Sequence, residues 1–516
     1  MLAGYRAQWF QALIAGALLP FAFAPYGQSW LAPLVLAWLF HLIWRQTTYP
    51  RRAFALGYLF GLGQFGVGVW WVYVSMHRYS GAGIAAAGGL TVLLVTFLAL
   101  YPAVASAFSA WLFKRNTNWE IDPANWRPML ALPSIWIGVE WLRGWLLTGF
   151  PWLEVGYSQI DAPLAGFAPL VGEYGTGWLT VLTAAVLWAV WRAKALPTQK
   201  RQVGYWVAVT VILWLAGAGL KAVPWTHPAG DPFRVALLQG DIPQDLKWRP
   251  ETRRRILAAY LDMTRRNWGA DLIIWPETAV PAFYHQVREG LFLPLEQEAA
   301  ARGSDLLVGV PMLESATDRY YNALIGLGEA SGSYYKRHLV PFGEFLPLRS
   351  LLGVILEVLQ IPLSDFSAGD DDQALIVAAG FPVAATICYE DAFARDALVG
   401  LPEAAYMVNV SNDAWFGDTI APHQHLQMAR MRALEGGRYL LRATNTGITA
   451  VIDPRGKVKA QAASFVRTSL TEAIVPLAGA TPYVIWGDWP LWLGILGILG
   501  WVAYDPKRDD DSVREA

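Results

Sequence analysis

The sequence predicts a multi-domain α+β chain. A polytopic α-helical membrane part of about eight spans is joined to an α/β layered domain. Three observations lead there. Hydrophobic residues make up 55% of the 516 positions, more than a water-soluble globular chain usually carries. Six of the 41 acidic residues fall in the first 230 positions (Glu120, Asp122, Glu140, Glu154, Asp161 and Glu173), so the two parts of the chain are written for two solvents. From about 223 to 483 the apolar runs shorten to strand length and alternate with helical patterns.

The apolar segments set the membrane part. They run from about Trp9 to Ala24, Trp30 to Trp44, Ala53 to Val74, Ala82 to Phe113, Met129 to Leu147, Leu170 to Trp191 and Val203 to Leu220, with an eighth from about Val484 to Tyr504. Pro20 and Pro25 interrupt the first, which reads as retained, not as a cleaved leader. Tryptophans such as Trp9, Trp30, Trp44, Trp111, Trp191, Trp225 and Trp486 stand near the segment ends, as an interfacial belt requires. Arg6, the 45–52, 114–127 and 192–201 loops and the tail carry the basic residues. With eight crossings they share one side, which places both termini in the cytoplasm and the long segment outside it. The expected domains are residues 1–222 with helices one to seven, 223–483 as the extracytoplasmic domain, 484–504 as helix eight and 505–516 as a charged, disordered tail. Glycines 57, 61, 63, 66 and 68 suit close helix packing. Glu140 and Arg143, three apart inside an apolar run, form either a mutual structural pair or part of a headgroup-facing surface.

Within 223–483, strands are expected at Arg234 to Gln239, Leu272 to Trp275, Leu306 to Val310, Val383 to Cys388 and Ala405 to Val410. Helical patterns cover about Glu251 to Asn267, Gln286 to Arg302 and His423 to Gly436. Active sites of α/β folds gather at the carboxyl ends of strands, and three such ends carry polar residues. Glu277 ends the run LIIWPE, where a carboxylate beyond a buried strand suits general-base work, although it could equally cap the next helix. Lys336 lies in YYKRHLVPFGE, where it could hold a developing oxyanion or belong to an exposed basic turn. Cys388, the single cysteine, ends VAATIC just before Tyr389 and Glu390. It excludes an intramolecular disulfide and stands where a nucleophile would, with the Tyr389 N–H as a natural oxyanion donor; a buried, inert thiol is the alternative.

Glu277 as base, Cys388 as nucleophile and Lys336 as electrostatic stabiliser make a complete acyl-transfer set that needs no cofactor and no metal. His338, His423 and His425 offer Cys–His pairings or a metal hint without a third ligand. Trp248, Trp415 and Phe416 are large apolar residues in loops, suited to gripping an acyl chain or to ordinary packing.

These motifs carry a resemblance. WPE at Glu277, YYKRHLVPFGE at Lys336 and ICYE at Cys388 resemble the carbon-nitrogen hydrolase, or nitrilase, superfamily, which implies an α-β-β-α sandwich and a Glu-Lys-Cys triad. With KRHLVPFGEFLP, NVSNDAWFG and the flanking helices, the whole chain resembles the apolipoprotein N-acyltransferase family of Gram-negative bacteria. That resemblance implies ping-pong transfer from the sn-1 ester of a phospholipid, typically phosphatidylethanolamine, to the N-terminal amine of a diacylglyceryl-cysteine apolipoprotein. It places the catalytic domain on the periplasmic face of the inner membrane. It implies that Glu344 supports Lys336 or proton transfer, that Glu390 holds nearby groups, and that Trp248 and Trp415 belong to mobile lipid-facing loops. A monomer without nucleic-acid partners is expected. The rival readings are a membrane-tethered amidase or nitrilase acting on a small amide, and a non-enzymatic lipoprotein-binding or transport protein.

Overall fold

A computed structural model describes residues 2–46, 49–79, 83–115, 126–193, 200–314, 316–345 and 365–504; the expected disordered tail lies outside the described residues. By its contacts the chain divides into two compact units, Met1–Trp70 with Gly89–Val223 and Trp486–Ala516, and Trp71–Gly88 with Pro224–Ile485.

The first unit is helical. It holds α1 (Leu2–Leu18), α2 (Leu31–Trp44) and α3 (Pro50–Gly68). After α4 (Val72–Tyr79), which clusters with the second unit, come α5 (Ile84–Leu98), α6 (Leu100–Arg115), α7 (Trp126–Arg143), α8 (Ala168–Ala193) and α9 (Lys200–Leu220). Among the described residues, three stretches are long and apolar enough to cross a membrane: 84–114, 163–193 and 201–220. A fourth is the pair α3 and α4, bent by 55° at a short break, so the expected span from Ala53 to Val74 is broken. The expected span from Ala82 to Phe113 corresponds to the 84–114 stretch, with one non-helical residue at Ala99, where Pro102 has no N–H to close the helical ladder onto Leu98. Glycines on both helices allow α1 and α3 to approach closely: a Cβ on Gly16 of α1 would run into the Phe60 carbonyl, and one on Gly63 of α3 into the Leu13 carbonyl. Trp9, Trp30, Trp111, Trp191 and Trp486 are exposed, as residues of an interfacial belt should be.

Glu140 and Arg143 are both buried, and each reaches the 150–155 segment. Trp136 Nε1 and the Val155 N–H donate to Glu140, and Arg143 Nη1 donates to the carbonyls of Phe150 and Trp152. Both side chains pin the 150–155 loop to α7.

The second unit is a four-layer sandwich. One six-stranded sheet is built from β1 (Phe233–Gln239), β2 (Leu272–Ile274), β3 (Asp305–Glu314), β4 (Arg319–Leu327), β5 (Ser333–Tyr335) and the later β12 (Thr468–Ile474), in the order β12-β1-β2-β3-β4-β5. The other holds β6 (Ile376–Ala378), β7 (Phe381–Ile387), β8 (Tyr406–Ser411), β9 (Leu440–Thr444), β10 (Ala450–Ile452) and β11 (Val458–Gln461), in the order β11-β10-β9-β8-β7-β6. Each has a parallel centre, β1-β2-β3 and β7-β8-β9, with antiparallel flanks.

Strand alternation makes the layers. Val235, Leu237, Leu272, Ile274 and Leu307 of the first sheet pack against Val383, Ile387, Tyr406, Val408 and Leu441 of the second. Ala236, Leu238, Ile273 and Leu306 turn outward onto α11 (Pro250–Arg266) and α12 (Leu293–Arg302), which follow the short α10 (Gln244–Lys247). Ala384, Met407 and Leu440 turn outward onto α13 (Ala421–Gly436). Both faces of each sheet are covered, which explains the continuous apolar runs. The final helix, α14, starts at Trp489, five residues later than expected, and runs to Ala503. Gly487 adopts a left-handed φ of +57° and separates it from the Pro482–Trp486 turn.

Candidate active site

Glu277, Lys336, Glu344 and Cys388 come together in the second unit, each just past a strand of the two sheets or on the turn that follows. Glu277 lies three residues beyond β2. The turn that carries it approaches β3 so closely that a Cβ on Gly309 would stand 2.2 Å from the Pro276 carbonyl oxygen. Lys336 follows β5 directly and is completely buried. The chain then reverses through Pro341–Phe345, bringing Glu344 back. Lys336 Nζ lies 2.8 and 2.7 Å from the Glu344 Oε1 and Oε2 and 3.8 Å from Glu277 Oε1. The Val340 N–H also donates to Glu344, at 2.8 Å. Burial would pull the Lys336 ammonium down, but Glu344 and Glu277 outweigh it and hold the group well above its ordinary value. These two carboxylates favour the charged form of Lys336.

Cys388 sits one residue past β7, at the head of a 3-10 turn (Cys388–Ala392), with a left-handed φ of +55°. A non-glycine residue held there stores about 1–3 kcal/mol of strain, of the kind found at functional sites. Thr278 and Phe342, next to Glu277 and two before Glu344, share this conformation. Burial, then the Glu277 charge, pushes the Cys388 thiol well above its usual range, against the opposing pull of Lys336. The residue surface is partly open, but the thiol lies among buried charges, and its resting form is S–H.

Glu390 is a hub of hydrogen bonds between two backbone segments. Its carboxylate accepts hydrogen bonds from the N–H groups of Ile387 (2.7 Å), Arg337 (2.6 Å) and His338 (3.0 Å) and from the Tyr334 hydroxyl. One side chain thus ties the Cys388 turn to the Lys336 segment. Tyr389 is buried, its ring edge-on to Phe393. Trp248 caps α10; Trp415 and Phe416 lie in the 3-10 turn Asp413–Phe416, all three half-buried. Phe416 meets Trp71 edge to face, and Trp71 Nε1 donates to Gln424. The loops that carry Trp248 and Trp415 are latched: Asn412 Nδ2 donates to Gln244 Oε1 at 2.8 Å.

His338 and His425 are each held by carboxylates. His338 Nδ1 is 2.9 Å from Asp396. His425 is bracketed by Asp391 and Asp413, at 2.6 and 3.0 Å, and Arg442 bridges the same two carboxylates. Although burial and Arg442 oppose it, these two anions hold His425 up at about 9. Asp413 is held down at about 2, with His425 and Arg442 outweighing its burial. This box of balanced charges supports the Cys388 turn: His425 Nε2 lies 3.2 Å from the Cys388 carbonyl oxygen, and the Ser411 hydroxyl bonds both the thiol and Asp413.

Sequence reasoning missed Asn322. It lies on β4 and its Nδ2 donates to Glu277 at 2.7 Å and to Glu344 at 3.3 Å, so it orients both carboxylates. Its only local signal is a polar residue in the run RYYNALIGL.

The fold and site define a carbon-nitrogen hydrolase domain joined to an apolar helical unit. Residues 234–483 match the carbon-nitrogen hydrolase model, and residues 15–186 match the apolipoprotein N-acyltransferase N-terminal domain. The apolipoprotein N-acyltransferase of Methylococcus capsulatus is 54% identical over 94% of this chain and 94% of its own. That of Pseudomonas syringae pv. tomato is 43% identical over 95% of each. Among solved structures, the C. elegans NitFhit protein matches with a TM-score of 0.39 and 16% identity, over 50% of this chain and 63% of that one. The chain belongs to the apolipoprotein N-acyltransferase family, membrane acyltransferases with a carbon-nitrogen hydrolase domain.

Proposed function

We propose that this chain transfers an acyl group in two steps through a Cys388 thioester, from a phospholipid to the N-terminal amine of a diacylglyceryl-cysteine apolipoprotein. In the first step Glu277 takes the thiol proton as Sγ attacks the sn-1 ester carbonyl, typically of phosphatidylethanolamine. The Lys336 ammonium and the Tyr389 N–H hold the resulting oxyanion. The intermediate collapses, Glu277 returns its proton to the departing glycerol oxygen, and a lysophospholipid leaves. In the second step the neutral amine attacks the thioester. Glu277 accepts the amine proton and passes it to the departing Sγ, which yields the amide and the free thiol.

The observation that carries this reading is the buried chain Glu277–Lys336–Glu344 facing a protonated thiol on a strained turn. A neutral thiol needs a base at the moment of attack, and a fixed cation waits for the oxyanion. The apolar helices hold the domain where both lipid substrates lie, with Trp248, Trp415 and Phe416 over the acyl chain. The catalytic domain faces the periplasm from the inner membrane, both termini are cytoplasmic, and the enzyme works as a monomer.

The test is intact-protein mass spectrometry after incubation with phospholipid vesicles alone. A fatty-acyl mass on Cys388 is expected, discharged by a diacylglyceryl-cysteine peptide and absent in Cys388→Ala. A protein that turns over without acyl mass, or acylates peptide as Cys388→Ala, would refute it. Release of free fatty acid in place of peptide acylation would favour a hydrolase.

A further inference from the structure

Lys247, outside the triad, is the other lysine buried beside the thiol–carboxylate pair. It ends α10, and the residue is 3% exposed. Its Nζ donates to the main-chain carbonyl oxygen of Glu277 at 3.2 Å. The α10 loop is fixed from the opposite sheet as well: Asn412 donates to Gln244, and Asn445 Nδ2 donates to the Ile242 carbonyl at 2.8 Å. Lys247 is thus delivered to the site by a latched loop.

An ammonium buried against a neutral carbonyl costs several kcal/mol of lost hydration unless nearby negative charge offsets it. The titratable groups that act on Lys247 are Glu277 and Cys388. Lys336 faces the same pair, yet it is engaged by both oxygens of Glu344. Lys247 thus brings a second positive charge to the same pair.

We propose that Lys247 is a positioning residue for catalysis: its ammonium anchors the Glu277 main chain and supplies the second positive charge under which the Cys388 thiolate forms. This rests on the Glu277–Cys388 reading above. Burial pulls Lys247 down to about 8, with Glu277 and Cys388 opposing, so its charge is present at neutral pH and lost above about 8. Mild alkali then has two opposed effects on the thiol. It removes the thiol proton, and it removes the cation that favours the thiolate.

Because Cys388 is the single cysteine, its ionisation can be read in the full-length protein without any lipid substrate. The probe is iodoacetamide, with the alkylation rate followed by mass spectrometry from pH 6.5 to 9.5 in detergent micelles. Lys247→Met should slow alkylation at pH 7.5 about tenfold, a one-unit rise in thiol pKa, and Lys247→Arg should recover most of it. Lys247→Gln keeps a donor for the Glu277 carbonyl but no charge, so it should resemble Lys247→Met. If Lys247→Met does not fold, Lys247→Gln against Lys247→Arg carries the comparison. A folded, neutral variant alkylated at the parent rate across this range would overturn the proposal. An absent acyl adduct with the expected alkylation profile would instead overturn the thioester mechanism alone.

Discussion

Glu344→Gln separates a supporting carboxylate from a catalytic one. The substitution keeps the shape and an acceptor oxygen for Lys336 and removes one charge. Lys336 is fully buried between two anions, at 2.7 Å for Glu344 and 3.8 Å for Glu277. At an effective dielectric of 20 these attractions are about 6 and 4 kcal/mol, so Glu344 supplies the larger share. With it gone, two things follow. The buried cation is under-compensated, which costs about 3–5 kcal/mol when one partner of such a pair is removed. The ammonium also turns to Glu277, and a base that is pinned in an ion pair is a poor proton acceptor. Loss of general-base assistance is worth about 10²–10⁴ in rate. We therefore expect thioester formation to slow at least about 100-fold, with a lower melting temperature. The assay is the rate of acyl-mass appearance at Cys388 in a single turnover with phospholipid vesicles, on protein shown to be folded by thermal melting. Glu344→Asp should keep part of the rate. A folded Glu344→Gln enzyme that acylates Cys388 within about threefold of the parent rate would refute the view that Glu344 frees Glu277 from Lys336.

Asn322→Leu leaves Glu277 without its closest donor; transfer activity should drop about tenfold or more with Cys388 alkylation still measurable, and unchanged turnover would show that Asn322 does not orient the base. Gly309→Ala pushes a methyl into the Pro276 carbonyl and should lower kcat sharply while the protein still folds, a split that kinetics and melting curves read together. Gly16→Leu should prevent the close approach of α1 and α3 and cut the yield of folded protein in detergent, checked by size-exclusion chromatography. The charged box predicts a pH window. His425 is raised from 6.5 to about 9, so its stabilisation is whole below about 6.5 and lost as pH rises through 9; Asp413 is lowered from 3.8 to about 2, so its share is whole above about 4 and lost as pH falls through 2. Melting temperature should fall on the alkaline side, and His425→Gln should flatten that limb; an unchanged slope would remove His425 as its cause.

The parts of the fold written locally were legible. The run Arg234 to Gln239 reads as a strand and β1 begins one residue earlier; Val383 to Cys388 reads as a strand and β7 ends one residue before the thiol. Both are central strands with two covered faces, so their composition is unmixed. β4 was not legible. It opens on exposed Arg319 and half-buried Tyr320 and Tyr321 and is buried from Asn322 to Ile325, so no single period marks it, although it forms a hairpin with β3. Asn322 was therefore invisible as a site residue. The membrane spans show the complementary limit. Hydropathy averages over a window, and the irregularity at Ala99 and the break at Gly487 come from a missing N–H and a single left-handed residue, which averaging erases. Glu140 and Arg143 were conspicuous by charge, but spacing could not foresee that each binds the 150–155 backbone.

The protonated thiol links site and membrane. A thiolate standing at rest would be open to alkylation and oxidation during the long intervals between lipid encounters. Here the thiol is held neutral by burial and by the Glu277 charge, and in the proposed mechanism the same carboxylate removes the proton when an ester carbonyl arrives. Activation is thereby coupled to substrate entry. In that mechanism the thioester sulfur carries no charge, and Lys336, held by Glu344 and Glu277, stays in place to meet the second oxyanion. Glu277 then stands beside an uncharged sulfur, ready to accept the amine proton. Water can exploit that arrangement as well as an amine can, so selectivity for transfer over hydrolysis must come from exclusion. The apolar residues of the latched 240–248 and 409–417 loops, Trp248, Trp415 and Phe416, are the groups placed to provide it. Opening that cover, as Trp415→Ala should, is expected to raise the ratio of free fatty acid to acylated peptide; a fall in both products at a constant ratio would mean that these residues grip substrate without excluding water.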